Sequence, residues 1–385
     1  MSSAFPESGP GPLSGIVVAD FTRVLAGPYA TMMLADMGAT VIKVEGPTGD
    51  DTRHWKPPAA RGTASYYQAV NRNKYSVVLD LRQADDLAAA KRLATRSDVF
   101  IHNFKPGSIE KFGLGYEDVR ALRADIVYAH ISGFGTSGKG RDMPGYDVLV
   151  QGMAGLMDMN GELAGSPVRS GVSIFDLATG MVTAFGIAAA MRHRELTGEG
   201  QLIENNLMAN AIFTMANQYQ VAATTDVRLT RSGKEHGTIY PYHALPTADG
   251  ELIVVGANDG QFARLCQVLE IPHVAQDERF STAEGRNVNR DALRPLLEEA
   301  LAKRGKDDWF TRLSAAGLPC APVQSVNEGL EMAPRLGIDP VWQTPDPQSL
   351  PTVRNSLQMT QTPATYRKEP PALGEDTEFI RDWLG

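Results

Sequence analysis

Short apolar runs alternate with helical stretches through the first half of the chain. Ile16 to Ala19 reads as a strand, Pro28 opens a helix that Gly38 closes, and Thr40 to Val44 is apolar again. Proline near a helix start and glycine just past its end sit where each is best tolerated, so this is a βαβ pattern. The rhythm continues with a strand over Ser76 to Leu81, a helix over Asp85 to Ala94, a strand over Val99 to His102, helical spacing over Glu117 to Arg123 and a strand over Ile126 to Ser132. Alternation of this kind predicts a mostly parallel sheet flanked by helices. Tyr146 to Met157 is helical in spacing, a long helix over Asp176 to Leu196 stops at Thr197-Gly198, and Gln201 to Glu204 is one more strand.

The texture then changes. Tyr242 to Thr247 and Glu251 to Val255 flank the turn Ala248-Asp249-Gly250, a hairpin pattern, and helices follow over Gln261 to Leu269 and Arg290 to Lys303. From Leu336 the tail is rich in Pro, Thr and Gln. With 385 residues, the chain exceeds the roughly 250–300 residues at which single cores stop growing. The expected organisation is α/β: a large domain over 1–206, a smaller α+β domain over 207–335, and a segment 336–385 returning to the large domain.

Composition narrows the function classes. A content of 43% hydrophobic and 21% charged residues suits a folded chain rather than a disordered one. The net charge of −8 argues against nucleic acid or an anionic membrane surface as the main partner, so an anionic ligand needs a local pocket. The two cysteines, Cys266 and Cys320, lack the spacing of a zinc site or a disulfide framework. Met1 to Pro12 does not read as a signal peptide, and no run approaches the roughly 20 apolar residues of a membrane span. A cytoplasmic protein with no membrane partner is expected.

Gly133 to Gly138 matches GxGxxG, and Gly133 to Lys139 nearly matches a P-loop. Gly140 stands where a P-loop needs Ser or Thr, however, and Gly140, Pro144 and Gly145 interrupt the helix that both motifs require. Neither NAD nor ATP is expected. What remains is a glycine-rich loop carrying Lys139 and Arg141, either a flap over an anionic ligand or a solvated turn. Asn71-Arg72-Asn73-Lys74 supplies two cations and two amides, suited to a phosphate and a purine edge or else to a charged turn. Asn103-Phe104-Lys105-Pro106-Gly107 follows a strand, where open α/β sheets bind ligands, although a helix-capping turn reads equally well. Asp176 begins a helix in an apolar context. It can cap that helix and also act as a nucleophile, if the helix dipole keeps it ionised while apolar neighbours strip its water.

In combination and in order, these stretches resemble the class III CoA-transferases, a family that includes formyl-CoA and carnitine CoA-transferases and the α-methylacyl-CoA racemases. The resemblance is carried by Leu13 to Pro28, Gly38 to Glu45, Gly49 to Arg53, Asn71 to Lys74, Asn103 to Gly107 and Asp176 to Gly180. Thr22 to Gly27, Asp50 to Arg53, Val70 to Lys74 and His236 to Tyr242 are most similar to the succinyl-CoA-dependent dicarboxylate transferases, the hydroxymethylglutarate type among them.

The resemblance implies a Rossmann-like large domain, an interlocked homodimer, and coenzyme A as co-substrate with no metal, NAD or ATP. It places the nucleophile on Asp176 and CoA contacts on Leu25, Ala26, Asn71, Arg72, Asn73, Lys74, Asn103, Phe104, Lys105, Lys111 and Tyr146. The implied reaction moves CoA from an acyl-CoA to a small mono- or dicarboxylic acid through an aspartyl anhydride and an aspartyl-CoA thioester. Arg53, His236 and Tyr240 are candidates for a distal substrate carboxylate, because an arginine fork or hydrogen-bond donors suit that group. Two departures bear on the rival readings. The glycine-rich lid of formyl-CoA transferases is not recognisable after Arg231, and racemases carry His-Asp where this chain has Tyr146-Asp147. Racemisation needs a proton acceptor, for which a phenol is a poor substitute at neutral pH. A CoA-binding protein without catalysis is the remaining alternative.

Overall fold

Six strands, most of them rich in Val, Ile, Phe and Ala, form one parallel sheet in the computed structural model, which describes residues 8–57, 63–343 and 349–385. They are β1 (Val17–Phe21), β2 (Thr40–Glu45), β3 (Lys74–Val78), β4 (Val99–His102), β5 (Val127–Ser132) and β6 (Gln201–Asn206). The order is β3-β2-β1-β4-β5-β6, with every neighbouring pair parallel. β1, β2 and β4 are buried along their whole length, as strands covered on both faces must be.

Helices α1 (Ala26–Asp36) and α7 (Ile174–Thr197) cover one face, around Val18, Leu34, Val41, Ile101 and Ile187. Helices α3 (Ala84–Arg96), α4 (Tyr116–Leu122) and the C-terminal α16 (Thr377–Leu384) cover the other, around Phe21, Leu93, Phe100, Tyr128 and Trp383. Burial of Ile380, Trp383 and Leu384 holds α16 there, each contributing about 2 kcal/mol. α1 and α7 approach so closely that a Cβ at Gly180 would stand 2.7 Å from the carbonyl oxygen of Ala26, so the crossing admits only glycine. The same part of the chain carries shorter helices α2 (Ser65–Ala69), α5 (Asp147–Met153), α8 (Leu207–Thr214) and α9 (Ala216–Thr224), with a small hairpin, β10 (Val341–Trp342) and β11 (Thr352–Val353), in the tail.

This strand order has one reversal point, between β1 and β4. Chains leaving those two strands depart to opposite sides and leave a crevice at their C-terminal ends, which is where open α/β sheets bind ligands.

The chain divides into two units: Met1–Gly155, Ser170–Val227 and Asp339–Gly385 form the first, Leu156–Arg169 and Arg228–Ile338 the second. The division thus falls at 227/228, beyond the 206/207 boundary read from the sequence, because α8 continues from β6 and packs on α7. The helical spacing over Tyr146 to Met157 is broken as well. α5 ends at Met153, and Gly155 turns the chain with a φ of +83° before α6 (Leu156–Met159). α7 is long and apolar enough to cross a membrane, contrary to the sequence expectation, because interspersed Ala, Gly and Thr extend its apolar run. Half of that stretch is buried inside the chain.

In the second unit the predicted hairpin is β7 (Tyr242–Pro246) and β8 (Glu251–Val255), joined by antiparallel β9 (Cys320–Pro322). Helices α10 (Asp259–Val268), α11 (Pro272–Gln276), α12 (Ala283–Val288), α13 (Arg290–Leu301), α14 (Lys306–Ala315) and α15 (Val326–Arg335) accompany it. Leu252, Val254, Phe262, Leu265, Leu297 and Trp309 lie in its core.

Candidate active site

The crevice at the reversal point holds a cavity of about 380 Å³. The loop after β1 contributes Arg23 to Ala26 and the loop after β4 contributes Asn103 to Pro106. Gly133 and Gly145, Tyr146 and Asp176 complete the parts that bear on the chemistry. Of the residues expected at the site, the fold thus brings together Leu25, Ala26, Asn103, Phe104, Lys105, Tyr146 and Asp176.

Each loop is tied down. The Asn103 side chain accepts from the Arg23 N–H at 2.9 Å and donates to the Arg23 carbonyl at 2.8 Å, joining the two loops across the crevice. Val24 has a φ of +71°, a conformation costing a β-branched residue on the order of 1–3 kcal/mol. Its N–H is held by the Asp50 carboxylate, itself paired with Lys43 at 3.0 Å inside the protein. The glycine-rich stretch does not open an α-helix. It enters a 3₁₀ turn over Gly138–Asp142, and Gly133 meets Gly145 so closely that a Cβ on Gly133 would lie 2.4 Å from the Gly145 Cα. The glycines of that motif therefore serve a backbone crossing at the cavity wall. Lys139 and Arg141 stand exposed beside it.

Asp176 sits in the first turn of α7, half-buried. The expected stabilisation by free helix N–H groups is absent, because Asp147 takes them. Its Oδ1 accepts from the N–H of Phe175 at 2.8 Å and of Asp176 at 3.2 Å, and its Oδ2 accepts from the Gln151 side chain. Burial first, and then the negative charge of Asp147, push the Asp176 carboxyl up to about 7. The role of Asp147 beside Asp176 escaped the sequence reading, since it depends on α5 meeting the start of α7. Tyr66 escaped it too. Burial and then the charge of Asp176 push its phenol up to about 12, leaving it a proton donor at neutral pH.

The structure corrects several expectations. Asn71, Arg72, Asn73 and Lys74 are buried, line none of this cavity and spend their polar atoms inside the fold. Arg72 forms a two-pronged pair with Asp36 at 2.9 and 2.6 Å and donates to the Val353 carbonyl. Asn73 donates to Asp36 and to the Thr365 carbonyl. Lys74 donates to Asp20, the Pro28 carbonyl and the Asn71 side chain, and burial draws its ammonium down to about 8. Burial alone would raise the Asp20 carboxyl, but Lys74, Lys43 and the hydroxyls of Thr22 and Thr31 hold it below the usual range. Arg53 is likewise engaged, forked onto Glu45 at 2.8 and 2.6 Å and laid over the Tyr67 ring. Lys111 is exposed in the 3₁₀ turn Glu110–Phe112 and does not line the cavity. Tyr240 is 1% exposed in the core of the second unit, and His236 is exposed in that unit, edge-on to Tyr242.

Among the described residues, Arg23 and Lys105 are the cations lining the cavity, each facing an exposed acid at 3.7 and 3.9 Å, pairings too loose and wet to hold them against an anionic ligand. Among the described residues, no group of three or more His, Cys, Asp or Glu is placed to hold a metal ion. The arrangement offers a poorly hydrated carboxylate facing a crevice with cations at its mouth, which is suited to acyl transfer from an anionic donor.

Comparison with known proteins agrees. The family described as CoA-transferase family III matches residues 13–377. The succinate–glutarate CoA-transferase of Agrobacterium fabrum is 42% identical over 378 residues, covering 94% of this chain and 93% of that protein. The succinyl-CoA:glutarate CoA-transferase of Mus musculus is 36% identical over 375 residues, covering 96% and 85%. The crystal structure of a CAIB/BAIF family protein from Brucella suis superposes with a TM-score of 0.92 at 36% identity, covering 98% of this chain and 100% of that one.

Proposed function

We propose that this chain, which belongs to CoA-transferase family III, moves CoA from succinyl-CoA to a short dicarboxylic acid of the glutarate class, with Asp176 as the covalent nucleophile. The observation that carries the reading is a carboxylate raised to about 7 by burial and by Asp147, facing the crevice at the sheet's reversal point. The names of the relatives support the substrate class, since similar chains are succinate–glutarate and succinyl-CoA:glutarate CoA-transferases.

In the proposed sequence, an Asp176 oxygen attacks the thioester carbonyl, and the carbon–sulfur bond breaks to give a mixed anhydride and the CoA thiolate. The thiolate attacks the aspartyl carbonyl and expels the donor's carboxylate, leaving CoA in thioester linkage to Asp176. The acceptor carboxylate then attacks that thioester, and the released thiolate takes the acceptor's acyl group, restoring Asp176. Each step trades one activated carbonyl for another. Among the described residues, Arg23 and Lys105 line the cavity as cations for the anionic ends of CoA and substrate. Incubation with succinyl-CoA and a panel of short dicarboxylates tests the reading. Exchange into glutarate or a near homologue is expected, and no exchange into any dicarboxylate overturns it.

Asp176 attacks as the ionised form, so the exchange rate should rise with pH and level off above about 7, falling about tenfold for each unit below. In an Asp147→Asn variant the side-chain oxygen still accepts from the α7 amides but the like charge is gone. Its pH–rate midpoint should move to lower pH, and an unmoved midpoint would contradict the role given to Asp147.

The reading extends to a homodimer. Phe185 of α7 is 75% exposed and Phe213 of α8 71% exposed, large apolar groups of the kind a second copy would cover. Light scattering giving a dimer mass supports this, and a monomer overturns it.

A further inference from the structure

Next to the cavity lies a pair of histidines that the proposed reaction does not use. His102 ends β4 and His130 stands opposite it in β5. Both are buried, 2% and 6% exposed, with rings stacked at 4.2 Å and 18°. They continue a ladder of rings begun one step earlier by Phe100 and Tyr128, stacked at 5.0 Å. Another phenyl ring would have filled the same space, so packing does not explain why imidazoles stand here.

The explanation lies in the peptide of Phe104. Strand pairing stops at residue 102, and among the described residues no backbone partner serves either polar group of Phe104. Its N–H donates to His102 Nδ1 at 3.3 Å, and its carbonyl accepts from His130 Nε2 at 3.0 Å. A carbonyl only accepts and an amide N–H only donates, so His130 carries its proton on Nε2 and His102 leaves Nδ1 bare. Burial holds both rings neutral, so His102 and His130 are each fixed in one tautomer.

We infer that His102 and His130 are positioning residues for CoA binding: one imidazole accepts from and the other donates to the Phe104 peptide, fixing the loop 103–106 that lines the cavity. The inference rests on the reading of that cavity as the CoA site.

The test compares His102→Phe and His130→Phe, which keep a ring and lose the hydrogen bond, with His102→Asn and His130→Gln, which keep it. An Asn side chain accepts readily from the N–H two residues on, and a Gln amide can donate to the carbonyl. Each Phe variant should raise the Kd of CoA by calorimetry, and the KM of succinyl-CoA, by roughly 5- to 10-fold, the loss of one hydrogen bond, with kcat at saturation within about twofold of wild type. The Asn and Gln variants should stay near wild type. Should a Phe variant fail to fold, ¹⁵N-histidine spectra of the wild-type protein give the same decision, because CoA should shift both imidazole resonances. Phe variants with wild-type affinity, failure of Asn and Gln to rescue, or resonances unmoved by CoA would overturn the inference. A wild-type chain that binds no CoA refutes instead the function on which it rests.

Discussion

Replacing Asp176 with alanine should lower CoA exchange by roughly 10⁴-fold or more while leaving the fold intact, since removal of a covalent nucleophile commonly costs that much. Asp176 is only half-buried and its side chain is not what holds α7 in place. Asp147 caps that helix through the amides of Phe175 and Asp176, which survive the substitution. CoA affinity by calorimetry should therefore stay within a few-fold of wild type. Asp176→Asn should be equally inactive, because an amide keeps the shape and lacks the charge. Exchange above a hundredth of wild type in either variant would remove Asp176 from the covalent path.

The second large effect is on stability. Asp36→Ala should cost about 3–5 kcal/mol, because the Arg72 guanidinium would remain buried without its carboxylate. Asp36 also accepts from the side chains of Asn73 and Asn355, so three donors lose their partner together. Against a total stability of roughly 5–15 kcal/mol this is a large fraction, visible as a drop in the urea midpoint. Arg72→Ala should fall similarly. If Arg72 instead raised the KM for succinyl-CoA with the midpoint unchanged, it would be a ligand residue and not part of the frame.

These two positions show why the sequence discloses one kind of site residue better than another. Asp176 stood out as a lone carboxylate among apolar residues at a helix start, and among the described residues no cation pairs with it. Asn103 to Lys105 could be placed because they follow an apolar strand, and open α/β sheets bind ligands past the C-terminal ends of their strands. Asn71 to Lys74 and Arg53 also looked like ligand residues, since charge is visible in a sequence while its partner is not. Arg72 meets Asp36 from α1, Arg53 meets Glu45 from β2, and Lys74 meets Asp20 from β1, pairings that exist only once the sheet is assembled. Asp147 was visible only as the counterpart of the aspartate in the racemases' His-Asp pair, and its influence on Asp176 arises where α5 abuts α7.

The measurement closest to the central claim is chemical trapping. The wild-type protein is mixed with succinyl-CoA and hydroxylamine, digested, and its acidic residues are mapped by mass spectrometry. The account predicts a hydroxamate on Asp176, formed only when acyl-CoA is present and suppressed when an acceptor acid competes. A hydroxamate on another residue, or none while exchange proceeds, would contradict it.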